Sequence, residues 1–230
     1  MARLTRLALA GELHLLALVG HNGAAVFADD ADRLAFSGML RQSASDHGVA
    51  VHAYVQLDNQ VRLLVTPSRA EALGRMTQAL GRRYVPAFNR RHGRSGTLWE
   101  GRFRSCVIDS SAWLLPATVL LESLPVADGL VAAATEWRWS SAMHHVGALR
   151  DPLVTEHPEY WRLGNTPFDR ELAHARLLEQ GIQRVQAEAL DAALQRGHAL
   201  GDGAFLARLA DLTSRPLQSR PRGRPRRSED

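Results

Sequence analysis

Leu57-Asp58-Asn59-Gln60-Val61-Arg62-Leu63-Leu64-Val65-Thr66-Pro67 is the stretch on which the reading of this chain turns. After the turn-forming Asp58-Asn59 pair, Val61, Leu63 and Val65 alternate with Gln60, Arg62 and Leu64, the period of a strand with one face on a core. Gln60 and Arg62 therefore share a face. Immediately upstream, Val49, Val51, Ala53 and Val55 alternate with His52 and Tyr54, so the two segments read as a hairpin.

Further upstream, the apolar run Leu13–Val19, ended by Gly20-His21-Asn22-Gly23, reads as a buried strand and a turn. Asp29 and Asp30 can cap a helix whose buried stripe is Leu34, Phe36, Met39, Leu40 and Ala44, closed by His47-Gly48. Downstream, Ser68-Arg69-Ala70-Glu71 has capping-box spacing. It opens a helix with Leu73, Met76, Leu80, Tyr84 and Phe88 on its core side. Gly81 and Pro86 predict a kink or break near Arg83, since an interior proline removes a backbone donor. Leu98 to Ile108 reads as a fourth strand. The order strand, helix, strand, strand, helix, strand predicts an α+β protein with a ferredoxin-like or RRM-like four-stranded antiparallel sheet and helices on one face.

All 28 basic residues are Arg. Residues 1–214 are neutral, yet the stretch from Arg75 to Arg104 holds eight Arg against the single acid Glu100, and the tail from Arg215 to Asp230 holds six Arg against two acids. Segregation of this kind predicts a basic surface that meets a polyanion, with the tail as a second contact. The lone Cys106 excludes an internal disulfide and suits a reducing cytoplasm. The N-terminus lacks a signal-type apolar run, and no segment reads as long and apolar enough to span a membrane.

Several motifs carry a resemblance. Thr97-Leu98-Trp99-Glu100-Gly101-Arg102-Phe103, Gly81-Arg82-Arg83-Tyr84, Phe88-Asn89-Arg90-Arg91, the Leu63-Leu64-Val65-Thr66-Pro67 run, His14 with Gly20-His21-Asn22, and Trp139-Ser140-Ser141 resemble the single-tyrosine HUH transposases, most closely their REP-associated (repetitive extragenic palindrome) branch. The resemblance spans nearly the whole chain and implies the fold derived above. It also implies a His-hydrophobe-His metal pair at positions 60 and 62, a nucleophilic Tyr at 120 and a third ligand at 124, using Mg²⁺ or Mn²⁺ on single-stranded DNA. Those positions hold Gln60, Arg62, Leu120 and Leu124. An Arg has no lone pair for a metal, and a Leu neither attacks phosphate nor binds an ion. Four losses within a surviving framework point to an inactive descendant with no cofactor and no catalytic residue. A guanidinium at position 62 can instead grip phosphate oxygens.

The expected function is therefore a transposase-like protein that binds hairpin, single-stranded or palindromic DNA without cutting it, in the cytoplasm and associated with the nucleoid. Arg62, Arg82, Arg83, Arg90, Arg91, Arg94, Arg102 and Arg104 are the candidate contacts. The alternatives are an active transposase that nicks and joins DNA, and an RNA- or protein-binding module. Arg222-Gly223-Arg224-Pro225, with Arg226, resembles an AT-hook that would sit in an A/T-rich minor groove. The expected division is a sheet domain over 1–135, a helical extension over 136–214, with one helix from Phe168 to Arg196 and a broad apolar face that includes Leu172 and Val185, and a disordered tail over 215–230. His14 reads as a hydrogen-bonded core residue, Tyr54 and Tyr84 as packing residues, Trp137 and Trp139 as core anchors, and His144-His145 as surface.

Overall fold

In the computed structural model, which describes residues 6–218, the Asp58-Asn59 turn joins β2 (Val49–Leu57) to β3 (Gln60–Pro67) as an antiparallel hairpin. β3 also pairs with β1 (Leu13–Val19), and β1 with β4 (Arg104–Ile108), giving the order β2-β3-β1-β4 with every pair antiparallel. Helix α1 (Asp30–His47) connects β1 to β2, and α2 (Ala72–Arg91) connects β3 to β4. This is the ferredoxin-like topology expected.

Local chemistry fixes the helix ends. The Asp29 carboxylate accepts from the backbone N–H groups of Ala31 and Asp32, and α1 stops at Gly48, whose φ of 64° suits glycine. The Ser68 capping box does not form. The Ser68 N–H is bonded to the Gly48 carbonyl at 2.8 Å, so the chain there still belongs to the hairpin and α2 starts only at Ala72. Nor does α2 break near Arg83. It runs through Gly81 and Pro86, because Leu73, Met76, Leu80, Tyr84 and Phe88 hold both halves to one core while Pro86 removes a single donor. β4 is shorter than expected: residues 98–103 form a loop tied to β1 by Glu100 N–H to the Val19 carbonyl, and strand geometry begins at Arg104.

The sheet has two buried faces. Leu16, Leu18, Val61, Leu63 and Val65 pack under α1 and α2 against Phe36, Leu40, Met76 and Tyr84. Leu13, Leu15, Ala17, Leu64, Cys106 and Ile108 face the other way, under α3 (Ser110–Ala127) and α6 (Arg184–Arg196). The two crossover helices thus lie on one face as expected, and later helices roof the second. Contrary to the sequence reading, α3 is long and apolar enough to cross a membrane. Its buried Leu114, Ala117, Leu120 and Leu121 make it the core helix of that second face.

A register shift between Val51 and Ala53 breaks the alternation read for β2. Val49, Val51 and Tyr54 face α1 and α2, whereas Ala53, Val55 and Leu57 face α3. The extension folds back as α4 (Ala142–His145), α5 (Pro167–Gln180), α6 and α7 (Gly203–Leu212). The single helix expected over Phe168–Arg196 is two, separated at Gly181, φ 69°. Leu34, Leu172 and Val185, each placed on an apolar face by the sequence, are exposed (67%, 43% and 75%).

Both sheet edges are covered. On β2, Gln56 N–H donates to the Trp139 carbonyl, Ser141 N–H to Tyr54, and Thr155 N–H to Val51. On β4, Leu200 N–H donates to Val107 and Asp109 N–H to Leu200.

Candidate functional site

Strand register brings four positions into one row across the second face: Val55, Arg62, Ala17 and Arg104. Arg62 is mostly covered, with 13% of its side chain exposed. Its Nη1 donates to Asp191 Oδ1 on α6 at 2.7 Å and its Nε to Gln60 Oε1 at 3.1 Å. Arg104, two strands away, donates to Gln195 one turn further along α6 and to Glu100 Oε2 at 3.2 Å. Asp191 and Gln195 are four apart, so one face of α6 meets both guanidinium groups. A short Ala17 between them leaves room for the two long side chains.

Gln60 and Arg62 therefore share a face, as read from the sequence, and Leu120 lies on the helix above that face. Leu120 is buried and Leu124 half-buried, both in the apolar layer formed with Leu64, Val55 and Leu57. Nothing on Gln60, Arg62, Leu120 and Leu124 supplies a metal-ligand set: one amide oxygen is engaged by Arg62, one group is a permanent cation, and two are hydrocarbon. Arg62 was expected to be open to phosphate; it is engaged by Asp191, which is itself 47% exposed.

The other candidate arginines divide. Arg91 donates to Asp29 at 2.6 Å and Asp32 at 2.5 Å, locking the end of α2 to the start of α1; this hydrogen-bonded pairing holds the Asp29 carboxyl well below the usual range. Arg83 is 3.5 Å from Asp46. Arg82, Arg90, Arg94 and Arg102 are exposed and make no ion pair among the described residues. Arg75, also exposed and only 3.9 Å from the exposed Glu71, stands seven residues before Arg82, hence on the same side of α2. That side faces away from the stripe that packs on the sheet. The free arginines of α2 and the Arg62–Arg104 row consequently lie on opposite faces of the sheet. Arg222, Arg224 and Arg226 lie outside the described residues.

Other chemistry-bearing residues are structural. His14 is fully buried, its Nδ1 donating to the Glu12 carbonyl at 2.7 Å and its Nε2 accepting from Leu9 N–H; burial pulls its pKa down to about 4. Tyr54 donates to Asp151 and Tyr84 to the Val26 carbonyl, each at 2.6 Å, and burial raises both phenols. Neither is poised as a nucleophile. Cys106 is completely buried and pushed up to about 12, so it is an inert thiol. Trp137 and Trp139 anchor to the Gln56 carbonyl and Asp30 Oδ1, respectively.

One expectation fails. His145 is buried (4% exposed), not surface, while His144 is half-buried and accepts from Asp151 N–H. His145 faces Glu122 of α3, as does His174 of α5. Residues 23 and 52 positions from Glu122 give no spacing signal. The available signal was Glu122 itself, the one acid within the apolar helix Ser110–Ala127.

No protein-family model matches the chain, and neither does any curated protein. Among solved structures, it is similar to a REP-associated tyrosine transposase described as bound to a REP hairpin. That match has a TM-score of 0.51 at 13% identity and covers 69% of this chain and 93% of that one. It is also similar to a transposase-type protein from Deinococcus radiodurans, with a TM-score of 0.35 at 20% identity over 49% of this chain and 86% of that one. The first match establishes a shared fold.

Proposed function

We propose that this protein is a transposase-like DNA-binding protein that recognises hairpin or single-stranded DNA beside a stem and does not cleave it. The observation that carries the reading is the row on the second sheet face. Where the resemblance expects a metal pair beneath a tyrosine, Arg62 is clamped by Asp191, and Leu120 and Leu124 are part of the core. Gln60, Arg62, Leu120 and Leu124 offer neither a nucleophilic side chain nor a set of metal donors at those positions, which favours binding over phosphoryl transfer.

Binding is supported by the exposed arginines on α2 and the following loop and by the shared fold with a protein solved on a hairpin. Arg75, Arg82, Arg90, Arg94 and Arg102 would contact phosphates, which position a nucleic acid without reading bases. The protein so read works on the nucleoid in the cytoplasm, and no Mg²⁺ or Mn²⁺ is required at Gln60 and Arg62. The tail would add contact to A/T-rich duplex.

Fluorescence anisotropy of labelled hairpin, single-stranded and duplex DNA, at several salt concentrations, tests the binding. Hairpin DNA should bind tightest, with log-log salt slopes of roughly −0.7 to −0.9 per phosphate neutralised. Charge reversal at Arg82 and Arg90 together should weaken every DNA. The same hairpin, incubated with Mg²⁺ or Mn²⁺ and run on a denaturing gel, should stay whole and form no covalent adduct. Cleavage, or parental affinity in the reversed variant, refutes the reading.

A further inference from the structure

Glu122 sits in the second half of α3, completely buried, the one charged residue in a helix that is otherwise mostly apolar. Both of its carboxylate oxygens are addressed by imidazoles. Oε1 is 2.6 Å from His145 Nδ1 on α4, and Oε2 is 2.7 Å from His174 Nε2 on α5. His145 is 4% exposed and His174 fully buried, their ring centroids 4.9 Å apart. The Ser141 hydroxyl donates to Oε1 at 2.5 Å and fixes the carboxylate from the other side. Burial works against the charge of Glu122, and the two imidazoles overcome it, holding the carboxyl below the ordinary range.

Burying a carboxylate and two imidazoles together is costly unless each polar atom is satisfied. Each carboxylate oxygen of Glu122 has an imidazole partner, while the other ring nitrogen of His174, Nδ1, has none among the described residues. Nothing beyond Glu122 therefore fixes which ring nitrogen of His174 carries the proton, and Nε2 can turn its lone pair inward. One ligand atom from each of the three residues lies within 4.8 Å of the other two. Of the three, His145 also lines a cavity of about 670 Å³ together with His144, Tyr160, Asp151, Glu156 and Glu171.

We propose that Glu122, His145 and His174 form a binding site for a divalent transition ion of the Zn²⁺ type, with a water from the cavity as fourth ligand. Two imidazoles and a carboxylate suit Zn²⁺, Co²⁺ or Ni²⁺, whereas Mg²⁺ takes oxygen donors. Tetrahedral bonds of about 2.0–2.1 Å place neighbouring ligand atoms roughly 3.3 Å apart. The two carboxylate–imidazole contacts, at 2.6 and 2.7 Å, thus open by roughly 0.6–0.7 Å on loading. The two inward ring nitrogens give up their protons, to the outer nitrogen of a neutral ring or to solvent from an imidazolium, the carboxylate stays ionised, and no electron is transferred. Because the three ligands come from α3, α4 and α5, the ion ties the extension to the helix that roofs the sheet. The site is independent of DNA binding and of the Gln60–Arg62 face.

The experiment uses the full chain, stripped with EDTA and titrated with Co²⁺ and with Zn²⁺ near neutral pH. One equivalent should bind at micromolar concentrations or below, Co²⁺ should develop the visible absorption of a four-coordinate site, and Zn²⁺ should raise the unfolding temperature while Mg²⁺ leaves it unchanged. In ¹⁵N spectra of the histidine rings, two imidazoles should shift together on Zn²⁺ addition, a readout that needs no variant. His174→Asn and His145→Gln should lose the Co²⁺ absorption, and His157→Gln should keep it. Folded parent protein that takes up no ion at micromolar concentrations overturns the proposal. So does absorption that persists in both folded variants.

Discussion

Arg62 and His14 show how single polar side chains on this sheet serve the fold. Removing the Asp191 carboxylate leaves a mostly covered guanidinium with only Gln60 for company. Since Asp191 is nearly half exposed and water can replace part of what it supplies, Asp191→Ala should cost about 1 kcal/mol, read from urea unfolding. Arg62→Met, which keeps the stem and drops the charge, should cost less than Arg62→Ala, because the stem packs in the apolar layer. His14 loses stability in the same direction as a paired carboxylate, as the pH falls, although burial rather than pairing is the cause. Its folded pKa of about 4 lies below the unfolded 6.5, so the unfolded chain binds the proton first. Its contribution is full above pH 6.5 and is lost as the pH falls toward 4, on the order of 3 kcal/mol. Urea midpoints measured across that window should fall less steeply in His14→Gln than in the parent.

Among the elements, the core stripe of α2 and the strand β3 were the most legible, because their apolar positions recur at 3.6 and 2.0 residues. Errors arose where a tertiary contact outweighed a local one. Ser68 is retained by Gly48 rather than capping a helix, Pro86 is tolerated because its helix is pinned on both sides, and the bulge before Ala53 turns β2 over halfway along. Leu120 and Leu124 sit in the apolar layer, as their hydrocarbon side chains dictate, but that Arg62 would be held by Asp191, 129 residues away, has no trace in local pattern. The glycines of α2 offer a direct test of its continuity. A Cβ on Gly81 meets nothing within 4 Å, so Gly81→Ala should stabilise the protein by roughly 0.5–1 kcal/mol and raise its melting temperature. Gly48→Ala should do the reverse, since φ is 64° and the new Cβ would lie 2.5 Å from Ser68 Oγ.

At the scale of the whole molecule, the sheet is a shared wall between two cores, and the second core takes Leu190, Ala193 and Leu194 from the extension. A chain ending at residue 135 would leave much of the layer around Leu15, Leu64 and Cys106 open to water. Such a fragment should bind hydrophobic dye and lose the cooperative unfolding of the full chain, as followed by circular dichroism and dye fluorescence.

The covered edges of the sheet bear on how the protein is made. The backbone groups of β4 meet their partner only at Leu200, and those of β2 at Trp139, Ser141 and Thr155. At roughly 5–20 residues per second, about five to twenty seconds of translation separate the emergence of Ile108 from that of Leu200. For that interval the outer edge of β4, paired with β1 on its other side, stays open, a template for pairing with a neighbouring chain on the same messenger. Polysomes are therefore where this fold is most exposed to self-association, and ribosomes stalled near residue 150 should recruit more chaperone than ribosomes stalled near the C-terminus.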